Sequence, residues 1–237
     1  MKNLFFLLLM LSTYQDFGAQ KRTKETVTTN PKEQYLKVYA NALKYGDVQS
    51  AIYATQNIIA NEGENSSFKD SLAILYYNSN NALSCHLLCK ELLISKPADV
   101  TLLELNATSL KGLGATKDAI EVYEKLFAVS QNRYHGYELA QLQFGISRLA
   151  EALVTINQAM ERTKELEAKI SFNIDKNESQ QVPLNAALLN LKGLVTYELK
   201  DEKTAASLFD EALKIMPEFE AAKQNKKAIE ALGETKK

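Results

Sequence analysis

Between Ala186 and Pro217 the apolar positions fall into two stripes at helical spacing. Leu188, Leu189, Leu191, Leu194 and Val195 form the first. Ala205, Leu208, Phe209, Ala212, Leu213 and Ile215 form the second. Apolar residues recurring three and four apart predict one buried face per helix. The pattern therefore predicts two helices joined by a tight turn. Two helix axes approach to roughly 8–10 Å only where the crossing side chains are small, and Gly193 and Ala205 are placed to face each other there. Asp201 follows Lys200 where the first helix should stop, and its carboxylate suits the cap of the second. Pro217 cannot continue a helix and marks the exit.

The small slot held by Ala205 recurs upstream at Ala152, Ala119, Cys85 and Ala51. The separations, from Ala51 onward, are 34, 34, 33 and 53 residues. A companion slot in the preceding helix reads Ala140, Ala107, Ala73 and Tyr39. Five units follow: 32–65, 66–99, 100–132, 133–164 and 186–219, with an insertion over 165–185. In the first unit Gly46-Asp47 fits the turn, with Asp47 capping the second helix, and Tyr39 in a small slot predicts a distorted terminal unit. In the second, Ser67 with Asp70 reads as a capping box. A capping helix, assigned to 220–234, would cover the apolar face of the last unit; its amphipathic pattern runs Glu218–Leu232 with Phe219, Ala222, Ala228, Ile229 and Leu232 as the apolar set, and Gly233 follows as its stop.

The insertion reads differently. The fourth unit's helix is expected to run on through Glu165–Ala168. Ile170–Ile174 then alternates apolar and polar, a strand pattern. Asp175–Asn177 suits a turn and Ser179–Val182 a returning strand. Such a hairpin is either a lid over apolar surface or an exposed strand edge that a partner peptide extends.

Gly193, Ala205, Phe209, Ala212 and Pro217 match five slots of the tetratricopeptide repeat, a roughly 34-residue helix–turn–helix unit, and the chain resembles that family over most of its length. Leu189, Lys192 and Thr196 depart from the family's pattern. The resemblance implies an all-α, right-handed superhelical solenoid whose first helices line a concave groove for a protein or peptide. On this chain the groove positions include Tyr77, Lys111, Tyr134, Tyr137, Gln141, Phe144 and Tyr197, an aromatic and mostly uncharged set. Asp70, Glu104, Tyr137 and Asn190 occupy the slots where some members carry the Lys and Asn of a clamp for acidic tails, so no such clamp is expected.

The first twenty residues have a different character. Lys2 precedes an unbroken apolar run, Leu4–Leu11, and Gly18 and Ala19 follow. That is the build of a secretory leader cleaved near residues 18–20, and the run is too short for the ~20 residues of a membrane span. Export to a periplasm or cell envelope is the expectation, with a retained N-terminal anchor as the other reading. Residues 21–31 are polar and read as a disordered lead-in.

Composition narrows the function classes. The net charge is −1, leaving no basic excess for binding nucleic acid through counterion release. Cys85 and Cys89 share a helix face in poor geometry for a disulfide, and with His86 between them they lack the fourth ligand of a zinc site. They read as small buried hydrophobes. No phosphate loop, nucleophile elbow, HExxH or CxxC is present. The sequence thus points to a non-enzymatic scaffold or adaptor without cofactor or metal that binds a protein or peptide, or to an assembly factor that self-associates.

Overall fold

The computed structural model describes residues 30–162, 168–174 and 178–235. Eleven helices and one β-hairpin lie among them. The helices pair in order: α1 (Pro31–Tyr45) with α2 (Val48–Glu62), α3 (Phe68–Asn78) with α4 (Ala82–Ser95), α5 (Val100–Gly112) with α6 (Thr116–Ser130), and α7 (Arg133–Gly145) with α8 (Leu149–Glu161). After strands β1 (Lys169–Asn173) and β2 (Ser179–Pro183) come α9 (Leu184–Glu198), α10 (Glu202–Ile215) and α11 (Glu220–Thr235). Each helix packs on the next, and α3 touches α5, α7 touches α9 and α9 touches α11. The result is a stack of helical hairpins.

One device makes every hairpin turn. Gly46, Asn80, Gly114, Ser147 and Lys200 each have positive φ, between 56° and 72°. Each stands two residues before its second helix. The next residue's N–H donates back to a carbonyl five residues earlier: Asp47 to Ala42, Asn81 to Tyr76, Ala115 to Leu110, Arg148 to Gln143 and Asp201 to Thr196, at 2.9–3.2 Å. This left-handed C-terminal closure satisfies carbonyls that the helix end would orphan. Asp47, Asn81 and Asp201 then cap the second helices through Ser50, Ser84 and Thr204 N–H. The first hairpin has the same turn as the rest. Tyr39, in its small slot, lies edge-on to Phe68 with ring centroids 5.7 Å apart.

The recurring small residues are the contact points. Ala51, Cys85, Ala119, Ala152 and Ala205 are all fully buried, as are Ala73, Ala107 and Ala140. At Gly193 the neighbour differs from the one expected. A Cβ there would stand 2.5 Å from the Phe209 ring, so Phe209 rather than Ala205 fills the space that the glycine leaves. Cys85 and Cys89 are buried and unbonded, with their sulfurs 3.9 Å apart.

Several boundaries move from those expected. Pro31 belongs to α1, with Asn30 as its cap, and not to a lead-in. Ser67 makes no cap, because its own backbone is already helical; Ser66 accepts the Phe68 N–H instead. Helix α8 ends at Glu161, and the run expected through Glu165–Ala168 falls almost wholly outside the described residues. Arg162 turns extended, lays its guanidinium 3.3 Å from the Phe127 ring centroid and donates to the Phe127 carbonyl. Helix α9 starts at Leu184, two residues before the expected unit, and α11 passes through Gly233 without stopping. The leader and residues 21–29 lie outside the described residues, as do 163–167 and the turn at 175–177.

The insertion is an antiparallel hairpin in register Lys169↔Pro183 to Asn173↔Ser179. Val182 is fully buried, and Phe172 meets Phe219 edge-on at 4.9 Å. The Gln180 amide donates to the Glu218 carbonyl at 2.6 Å and accepts the Glu220 N–H at 3.1 Å, which caps α11. These contacts fit a lid that braces the last helix.

Candidate functional site: the groove along the first helices

The residues named from sequence divide into an open group and a packed group. Tyr77 is 41% exposed at the end of α3. Lys111, at the end of α5, forms an ion pair with Glu138 of α7. Tyr134, Gln141, Phe144 and Tyr197 are half-buried. Tyr137 is only 2% exposed, and its hydroxyl accepts from the Gln141 amide at 2.7 Å. It supports the groove from beneath and cannot meet a ligand directly. The cause is the position of α7: α6, α8 and α9 all pack against it, which leaves a narrower free stripe than helical spacing alone suggests.

Around Tyr134 the structure gathers groups from three helices. Burial and the Glu138 carboxylate beside its hydroxyl push the Tyr134 phenol up to about 12, with Glu104 and Tyr77 close enough to add to the shift. Tyr137 is raised by burial first and by Glu138 second. Glu104 on α5 has its carboxyl held below the ordinary value by His135, whose Nε2 lies 3.7 Å from the carboxylate. His135 is itself buried and pairs with Ser130 Oγ at 2.8 Å. Phenols this far from ionising stay neutral donors at physiological pH.

Sequence reasoning missed Glu138 and His135. The signal for Glu138 was its place four residues after Tyr134, which brings it onto the same helix face. Tyr197, on α9, stands apart from the Tyr77–Lys111–Tyr134 group along the stack. Asn190, a groove position of α9, is taken by the Asn225 amide of α11 at 2.9 Å, so the last helix occupies that end.

No protein-family profile matches the sequence, and neither does any curated protein. Among solved structures, a tetratricopeptide repeat protein from Parabacteroides merdae superposes with a TM-score of 0.63 at 13% identity, covering 85% of this chain and 73% of its own. The fold is that of a tetratricopeptide-repeat array. YrrB, a TPR protein with an unusual peptide-binding site, gives 0.63 at 14% identity over 81% of this chain and 90% of its own. MamA from Desulfovibrio magneticus RS-1 gives 0.59 at 15% identity over 81% and 98%. At these identities the likeness is one of fold. No described helix of the array is long and apolar enough to cross a membrane.

Proposed function

We propose that this chain is a non-enzymatic adaptor of a bacterial cell envelope that holds an extended peptide or protein segment along its first helices. One observation carries the reading. Tyr77, Tyr134 and the Lys111–Glu138 pair lie together across α3, α5 and α7. Tyrosine offers contact area and a polar tip with few rotatable bonds, and a paired charge on a rigid helix can exchange hydrogen bonds with a peptide backbone. The peptide-binding site of YrrB supports the same use of the fold. The envelope location rests on the leader-like composition of residues 1–20.

A peptide array probed with the full chain tests the groove. The wild type is expected to retain a subset of peptides. Tyr134→Ala with Gln141→Ala, shown by circular dichroism to stay helical, is expected to lose that subset. Unchanged retention by the double variant would remove the groove from the account. Self-association is the second reading, and Tyr45 and Leu43, 75% and 50% exposed on the outermost hairpin, favour it. Light scattering on the full chain at high concentration decides it: a monomer throughout excludes it.

A further inference from the structure

At the edge of the stack where α3 turns into α4, two clefts adjoin. One, of about 690 Å³, lies against α2 and includes Gln49, Tyr53, Gln56 and Tyr76. The other, of about 540 Å³, lies against the end of α5 and includes Tyr77, Thr108 and Ser109. Asn80 lines both. No Asp, Glu, Lys or Arg lines either cleft, in a chain where 24% of residues are charged. Ile52, Ala82 and Gly112 are the apolar residues of the linings, and the others are amides, hydroxyls and tyrosines.

The polar groups are held open. Asn80 has φ 56° in the turn, a conformation Asn tolerates better than most side chains. Its amide and that of Gln49 make no hydrogen bond among the described residues. The Gln56 amide nitrogen donates to the Tyr76 hydroxyl at 2.9 Å, which fixes both side chains. Tyr53 is 57% exposed, with Tyr35 edge-on at 6.0 Å. Ser109, 3% exposed, lies under the second cleft beside the Cys85 thiol.

The geometry points to a binding site for a neutral oligosaccharide that adjoins the groove and shares Tyr77 with it. Side-chain amides offer donor and acceptor together, which suits the adjacent hydroxyls of a sugar ring. A neutral polyol has no charge to pair, and these clefts offer none. An exposed tyrosine supplies an apolar face with a polar tip, which suits the C–H face of the ring. A protein segment would instead seek an apolar pocket for its anchoring side chains, and the cleft against α2 offers only Ile52 among amides, hydroxyls and tyrosines.

Two-dimensional NMR of the full chain with chitohexaose, maltohexaose and cellohexaose, and with an uncharged Gly-Ser peptide of similar length, tests this. At least one saccharide is expected to shift the side-chain amides of Gln49, Gln56 and Asn80, and the peptide is not. Tyr53→Ala is expected to weaken that binding about tenfold. Asn80→Gly, which keeps the turn conformation, is expected to weaken it without loss of helicity. The proposal is overturned if none of the three saccharides shifts these amides, if the peptide does so instead, or if both variants bind as the wild type does. Tyr134 and Gln141 take no part in these clefts, so failure here leaves the peptide-array test of the groove standing, and the reverse.

Discussion

A methyl group added at Gly136 would stand 2.7 Å from the Phe127 ring and 2.8 Å from the Ala159 methyl. Neither neighbour can give way easily, since Phe127 is 4% exposed beneath the Arg162 guanidinium and Ala159 is fully buried. Overpacking of this kind costs about 1–3 kcal/mol. Gly145, on the same helix, has nothing within 4 Å of its added Cβ. Alanine there reduces the freedom of the unfolded chain and favours the helix by about 0.5–1 kcal/mol. Thermal unfolding should therefore show Gly136→Ala lowering the midpoint and Gly145→Ala leaving it level or raising it. A common shift for both would mean that α7 is not seated against α6 and α8 as described. Gly193 could be singled out from sequence because it falls in the repeating small slot. Gly136 could not, since it lies four residues before Ala140, where the pattern asks nothing of size. Which ring fills the gap beside a glycine is also invisible in the pattern, hence Phe209 where Ala205 was expected.

At the level of elements, the hairpin and α11 form one mechanical unit through Gln180. Removing that amide with Gln180→Ala leaves the Glu220 N–H uncapped, a loss of about 1 kcal/mol, and also frees the Glu218 carbonyl. Hydrogen exchange in the first turn of α11 should speed up about fivefold on that figure, while amides of α9 and α10 keep their protection. An unchanged α11 would show that Phe172 and Phe219 hold the helix without the amide. The hairpin was readable because alternation over Ile170–Ile174 is a local property of the chain, with Ser179–Val182 as its return across a turn. The end of α8 was not, because it depends on Arg162 finding a ring and a carbonyl on α6, 35 residues away. The capping box at Ser67 failed for a similar reason: the sequence supplies the right side chains, but the backbone enters the helix one residue earlier, at Ser66. Three of the five left-handed turn residues, Asn80, Ser147 and Lys200, also carry no glycine to announce them.

Over the whole molecule the repeat period suggests equal units, but the core is unequal. One continuous apolar cluster runs from Leu103 to Ala222 and takes in Phe127, Tyr137, Leu188 and Phe219. Ahead of it lie two small clusters, one of Ala73, Cys85, Cys89, Leu102 and Leu105 and one of only Ala42, Ala51 and Leu75. The small-residue slots that reveal the period are alike in every unit but for Tyr39, so they carry no record of this gradient. The gradient lies in the large side chains between them. For the same reason Tyr137 reads as a groove residue by spacing but is enclosed by the deeper half of the core. In a stacked array each unit is held by its own hairpin and by its neighbours, and local opening follows the apolar contact available. The α1–α2 hairpin has a neighbour on one side only within the described residues, and its fully enclosed cluster is the smallest. Native-state hydrogen exchange across a urea series should find α1 and α2 opening at the lowest free energy, α3 and α4 next, and α7 to α10 last. Opening of all five hairpins at one common free energy would mean that the small N-terminal clusters couple to the main core as strongly as it holds itself, and the stack would then have to be treated as a single cooperative body.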